Sequence, residues 1–232
     1  MEIQEGLDIL AFGAHPDDVE IGMGGTMAKH AAAGRKVGIC DLTYAELSSN
    51  GTPLLRQQEA SEASGILGLA MRSNLGMPDR GLRGDQAQID AIVRELRLRR
   101  PRVVFAPYWE DRHPDHVRCS QLVQEALFNA KLRKYMPELP AVNVEHVYFY
   151  FINDVAAADV MVDVSDVYEK KLASLRAYRS QFERTGSDTV QTPLNQVYVE
   201  RVEARDRLLG QKRSVPYAEG FVSKAPLLIG LF

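Results

Sequence analysis

The sequence predicts an α/β fold, a Rossmann-like doubly wound sheet that is mostly parallel, with helices on both faces and a C-terminal extension. Three observations lead there. Short continuous apolar runs, at residues 9–13 and 102–106, read as strands buried on both faces. Stretches of helical length separate the runs, and such alternation makes βαβ units with right-handed crossovers. No repeat period or low-complexity linker breaks the pattern, so residues 1–232 are drawn as one domain.

The first strand, 9–13, empties into His15-Pro16-Asp17-Asp18. Gly22, Gly24 and Gly25 follow, then a helical stretch through Ala33 that ends at Gly34. The glycines are not G-x-G-x-x-G and do not directly follow the strand, so they read as close packing of helix against sheet rather than as a dinucleotide loop. Residues 36–42 form a second strand, 48–53 a polar turn-rich loop, and 54–68 a helix. A weaker strand at 72–75 and a loop at 76–81 come next. Ile89, Ile92, Val93 and Leu96 give the helix at 86–99 one buried stripe, and Pro101 stops it. The fourth strand, 102–106, leads to a helix at 116–131 and a strand at 144–152. Beyond residue 155 the pattern loosens: a strand at 160–164, a helix at 168–181, a polar loop at 183–193 and a helix at 197–209. The tail, 217–221, reads as a loop or short strand that closes over the sheet.

Composition narrows the function classes. Hydrophobic residues make up 45% of the chain, enough for a sizeable core without disulfides. A net charge of −3 lacks the basic surplus of a nucleic-acid binder. The basic run 94–102 sits at a helix end, where cations complement the dipole. Cys40 and Cys119 have no C-x-x-C spacing and read as reduced, packed thiols. No charged-then-apolar leader precedes Leu7 and no apolar run is long enough for a bilayer, so a cytoplasmic chain without a membrane partner is expected.

Past the fourth strand the opening pattern returns as His113-Pro114-Asp115-His116. In a doubly wound sheet the first and fourth strands are neighbours, and the crevice at their carboxyl ends is the default ligand site. A lone His-Pro-Asp-Asp is more often a helix cap than a ligand set, because Asp caps helices and Pro suits the first helical position. A second such motif at the neighbouring strand end tips the balance to a site. His15 with Asp18, or His113 with His116, have the i,i+3 spacing that projects two side chains to one side of a helical turn. Three ligands would hold a catalytic zinc with an open position, leaving a carboxylate and an imidazole unspent. Those are the parts of metal-assisted hydrolysis. A different class of reading is a receiver-like, magnesium-binding signalling module, which leaves His113 and His116 idle.

The segments Ala14–Glu20 and His113-Pro114-Asp115-His116 resemble the PIG-L-type (LmbE-like) zinc-dependent N-acetylglucosaminyl deacetylases. Residues 40–52, 77–82, 133–139 and Tyr217-Ala218-Glu219-Gly220-Phe221 are similar to the bacillithiol-biosynthesis subgroup, so the resemblance spans nearly the whole chain. It implies one Zn2+ per chain, with Fe2+ or Co2+ also accepted, held by His15, Asp18 and His116. It further implies Asp17 as general base, His113 as the imidazolium that supports the tetrahedral intermediate and protonates the amine, and Asp115 as the group orienting His113. Arg56, Asp79 and Tyr198 match positions that face the substrate. The implied substrate is N-acetylglucosaminyl-malate, whose carboxylates Arg56 suits bidentately. An amidase on thiol S-conjugates, or a deacetylase of another N-acetyl sugar, is the alternative within the same chemistry. Mycothiol-pathway relatives carry a tyrosine where this chain has Asp111, so Tyr198 is the candidate replacement. The resemblance also implies a homo-oligomer such as a hexamer.

Overall fold

Strand β1 (Ile9–Gly13) is apolar and buried at every position, and the other strands are laid out around it. A computed structural model describes residues 6–184, 186–226 and 228; Thr185, in the polar loop, lies outside the described residues. Strands β2 (Val37–Thr43) and β4 (Val103–Pro107) flank β1, both parallel to it. The expected adjacency of first and fourth strands therefore holds. With β3 (Met71–Met77), β5 (His146–Tyr150), β6 (Val160–Asp163) and β7 (Ala218–Val222) the sheet runs β3-β2-β1-β4-β5-β7-β6.

Alternation along β1 sends its side chains to two cores. Leu10 and Phe12 pack with α3 (Gln86–Arg99) and α4 (Pro114–Ala130) on one face. Ile9 and Ala11 pack with α1 (Asp18–Ala32), α5 (Tyr168–Ala177) and α7 (Tyr198–Gln211) on the other, where the end of α2 (Pro53–Leu67) also contributes Leu67. Cys40 and Cys119 are free thiols in the first core, their pKa values raised by burial. No helix among the described residues is long and apolar enough to cross a membrane.

Three expectations need correction. The tail does not close over the sheet: β7 is a strand within it, antiparallel to both β5 and β6. Its Ala-Glu-Gly-Phe-Val sequence has little strand propensity of its own, and pairing on both sides decides its conformation. The helix expected at 168–181 breaks at Tyr178 (ψ 59), giving α5 and the short α6 (Arg179–Phe182). Helix α1 starts at Asp18, ahead of the glycines, and bends at Met23 (φ −152, ψ 24).

The glycines in that bend are needed for contact. A Cβ on Gly22 would lie 2.1 Å from Cδ2 of Tyr150, and one on Gly25 would lie 2.8 Å from Cβ of Val164. Tyr150 cannot swing away, since it is fully buried and its hydroxyl donates to the Phe12 carbonyl at 2.7 Å. Gly22→Ala is accordingly expected to cost about 2–3 kcal/mol by overpacking. Urea unfolding measures it, and a midpoint equal to that of the parent protein would refute the close approach.

Candidate active site

The turn after β1 carries unusual backbone. Asp17, the residue just before α1, has φ 120, a conformation that L residues rarely adopt. Strain of this kind, about 1–3 kcal/mol, persists only where surrounding bonds over-determine it. Here they do: Asp17 Oδ2 accepts from Arg56 Nη2 at 2.8 Å, and its carbonyl accepts from the Ile21 N–H at 2.9 Å. The next residue, Asp18, accepts the His15 N–H through Oδ2 at 2.9 Å.

Helix α4 brings the second half. His113 is its N-cap, with Nδ1 accepting the Asp115 N–H at 3.2 Å, and Pro114 takes the first helical position. The two halves meet: His116 Nε2 lies 3.1 Å from Asp18 Oδ1, and His15 Nδ1 lies 3.6 Å from Asp18 Oδ2. The His113 and His116 rings stack at 4.6 Å, and His15 meets the His113 ring edge-on at 4.9 Å. His15, His113 and His116 each offer a nitrogen to one cluster that could hold a metal ion, and His15, Asp79 and Asp115 form a second such grouping.

The donor set fits a divalent cation. An ion with ligands at about 2.1 Å in tetrahedral array sets neighbouring donor atoms about 3.4 Å apart, close to the 3.1 Å from His116 to Asp18 Oδ1 and the 3.6 Å from His15 to Asp18 Oδ2. The two imidazoles meet different oxygens of Asp18, which stands beside the two groupings rather than within either. Electrostatics agree. Burial disfavours charge on both imidazoles, yet Asp115, Asp18 and Asp79 around His15 hold its pKa well above the ordinary range. Burial likewise opposes charge on His116, but Asp18 and the bond to Asp111 push it up to about 9. The carboxylates are thus arranged around positive charge at the centre. Asp17 is different: burial raises its carboxyl to about 7, against the lowering effect of Arg56.

A cavity of about 320 Å³ opens on this cluster, lined by His15, Asp17, Asp18, Arg56, Asp79, His113, His116 and Tyr198 among others. Of the residues singled out in the sequence, Asp115 lies behind that lining. Its carboxylate accepts from the Arg80 N–H at 2.7 Å and from Arg80 Nη1 at 2.9 Å, and lies 3.7 Å from His15 Nε2. Its hydrogen bond to His113 runs through its backbone N–H, and its carboxylate acts on the His113 ring through space, favouring its charged form. Asp79 faces His15 Nε2 at 3.2 Å and accepts the Leu47 N–H. Arg56 spends Nε on the Pro16 carbonyl and Nη2 on Asp17, so a bidentate grip on a substrate carboxylate is not open to it. Its Nη1 has no hydrogen-bond partner among the described residues.

Residues 10–127 match the PIG-L family, described as GlcNAc-PI de-N-acetylase, and that span includes both His-Pro-Asp segments. The chain belongs to the PIG-L family. The diacetylchitobiose deacetylase of Thermococcus kodakarensis is 31% identical over 75% of this chain and 70% of its own length. A protein of Bacillus subtilis named as a probable N-acetyl-α-D-glucosaminyl L-malate deacetylase is 27% identical over 75% of this chain and 83% of its own. Among solved structures, a conserved protein from Thermus thermophilus superposes with TM-score 0.88 at 43% identity, covering 96% of this chain and 97% of that one.

Two residues of this PIG-L chain were missed by sequence reasoning. Asp111, which entered only as an absent tyrosine, binds His116 Nδ1 at 3.0 Å and accepts the His113 N–H at 2.8 Å. Asn153 holds Asp111 through both its backbone N–H and its side-chain amide, and accepts the Tyr198 hydroxyl at 2.9 Å. A carboxylate behind a ligating imidazole fixes the ring and its tautomer. Position was the available signal: Asn153 lies just past the end of β5, beside β4, where side chains reach the crevice.

Proposed function

We propose that this PIG-L deacetylase hydrolyses the acetamide of N-acetylglucosaminyl-malate, releasing acetate and glucosaminyl-malate in bacillithiol biosynthesis, with His15, Asp18 and His116 holding one zinc ion. The observation that carries the reading is a buried Asp17, its carboxyl near pKa 7, set beside two imidazoles and a carboxylate spaced as metal ligands. When bound, zinc would polarise the acetyl carbonyl and acidify a water molecule.

The chain's own residues supply the rest. Asp17 takes the proton of the attacking water as oxygen bonds to the acetyl carbon, and a base with a pKa near the working pH serves best. His113 accepts the Asp115 N–H through Nδ1, so its neutral ring carries a proton on Nε2 and can hydrogen-bond the developing oxyanion, while the proton Asp17 took from the water passes to the departing amine as the C–N bond breaks. Arg56 holds the Asp17 carboxylate in place, and its positive charge in the cavity lining favours an acidic aglycone. Tyr198 lines the cavity wall and spends its one hydroxyl proton on Asn153; it would serve the oxyanion by exchanging that bond for one to the substrate oxygen. The cavity volume suits a sugar with a small acidic aglycone.

Support for the malate glycoside is the name of the Bacillus relative, and the name of the Thermococcus relative favours another N-acetyl sugar. Acetate release separates them. The malate glycoside is expected to exceed N-acetylglucosamine and diacetylchitobiose by about 10-fold or more in kcat/KM, an orientation effect of an extra charged contact. A metal chelator is expected to abolish turnover. Faster cleavage of diacetylchitobiose or of a bacillithiol S-conjugate would overturn the substrate, and full activity after exhaustive chelation would overturn the metal.

A further inference from the structure

The Ala218-Glu219-Gly220 strand has no part in the chemistry above, yet Glu219 is fully buried and aimed at the bend in α1. In a continuous α-helix the Gly25 N–H would bond to the Ile21 carbonyl, and the Thr26 N–H to the Gly22 carbonyl. The bend at Met23 separates those groups. Charged side chains from the C-terminal region take them up. Glu219 accepts the Gly25 N–H through Oε1 at 2.9 Å and the Thr26 N–H through Oε2 at 2.6 Å. Arg205 Nη2 donates to the Ile21 carbonyl at 2.6 Å.

These two side chains are joined to each other. Arg205 Nε pairs with Asp206 Oδ1 at 2.9 Å, Asp206 Oδ2 with Lys171 Nζ at 2.6 Å, and Lys171 Nζ with Glu219 Oε1 at 2.6 Å. Two cations and two carboxylates thus bridge the split helical hydrogen bond, with Lys171, Asp206 and Glu219 at 0% exposure. Arg205 Nη1 also donates to the Phe151 and Ile152 carbonyls, immediately before Asn153. The bridge therefore grips the turn of α1 that bears Asp18 and the segment that supports Asp111 behind His116.

We propose that Glu219 and Arg205 are positioning residues for the metal site: together with Asp206 and Lys171 they hold α1 bent, and the bend sets the Asp18 carboxylate against His116. The inference rests on the hydrolase reading for what the site does, but not for the geometry it claims. A buried N–H and C=O left without partners are costly, so without the bridge the Ile21–Gly25 bond re-forms, α1 straightens, and its first turn rotates away.

Glu219→Gln keeps the side-chain volume but removes one acceptor oxygen and the charge facing Lys171. Arg205→Lys keeps the charge but cannot reach the Ile21, Phe151 and Ile152 carbonyls together, and serves if the first variant does not fold. In the crystal structure of either folded, metal-free variant, Met23 is expected at helical angles and Asp18 withdrawn from His116. Competition with a chromophoric chelator is expected to show Zn2+ affinity about 10-fold or more weaker, and kcat to fall about 10-fold with KM within twofold. A folded variant that keeps the bend, or whose Zn2+ affinity stays within twofold of the parent protein, overturns the proposal. The backbone angles of the metal-free variant are read without substrate or metal, so failure here is distinguishable from failure of the hydrolase reading.

Discussion

Asp17→Asn is expected to fold, retain its metal and lose on the order of 100-fold or more in kcat. The substitution is nearly isosteric, and Asn is among the few residues that tolerate positive φ, which the φ of 120 at this position requires. An amide oxygen still accepts the Arg56 N–H, so the wall of the cavity is kept. What disappears is the basic carboxylate. Burial raises Asp17 to about 7, with Arg56 opposing the rise, whereas the adjacent Asp18 is held well below the ordinary range. Burial also disfavours charge on Asp18, but the nearby His116 charge and the bonds to His116 and His15 more than offset it. Two neighbouring carboxylates are therefore pushed apart, one toward proton transfer and one toward ligation. Acetate release with parallel metal analysis checks the prediction. Near-normal turnover in a metal-replete Asp17→Asn protein would remove Asp17 from the mechanism.

His116→Ala is expected to lose the metal itself. Loss of an outer partner of a ligand costs about 10–100-fold in metal affinity, so loss of the ligand should exceed about 100-fold. The imidazole lies between two carboxylates, with Nε2 at 3.1 Å from Asp18 and Nδ1 at 3.0 Å from Asp111. Removing it leaves both buried acids facing a gap, and their mutual repulsion further disfavours the empty ligand geometry. Metal content after gel filtration, with circular dichroism as the folding control, reads the outcome. A folded His116→Ala protein with stoichiometric metal would show that His116 is not a ligand. Free imidazole offers a complementary check, since it can enter the vacated space and restore part of the binding.

The two predictions concern residues that were legible for one reason. Each belongs to a His-Pro-Asp segment at the carboxyl end of an apolar strand, and strand adjacency follows from the winding of the sheet. Arg56 was visible as a residue type only. Its nearest acidic neighbours in sequence, Glu59 and Glu62, suggested helix-surface pairs, but they bind Ser180 and Arg179 instead, leaving Arg56 to Asp17 across 39 positions. The contact of Asp115 with His113 was legible in the opposite way. The residues are close in sequence, yet their hydrogen bond runs from the Asp115 N–H to His113 Nδ1, while the Asp115 carboxylate accepts from Arg80, whose φ of 58 turns its N–H toward it, and faces His15.

By itself the sequence determined the strand order around β1, the crevice where the two motifs converge, and the residue types that make the crevice a hydrolytic site. Local periodicity and right-handed crossover suffice for that much. Only the tertiary structure decided the partners: Asp111 and Asn153 behind His116, Arg56 against Asp17, and the Arg205-Asp206-Lys171-Glu219 bridge in the bend of α1. Those contacts join segments up to 194 positions apart. The Glu219 contacts depend on the insertion of β7 between β5 and β6, which follows from edge pairing and burial rather than from any pattern within its five residues.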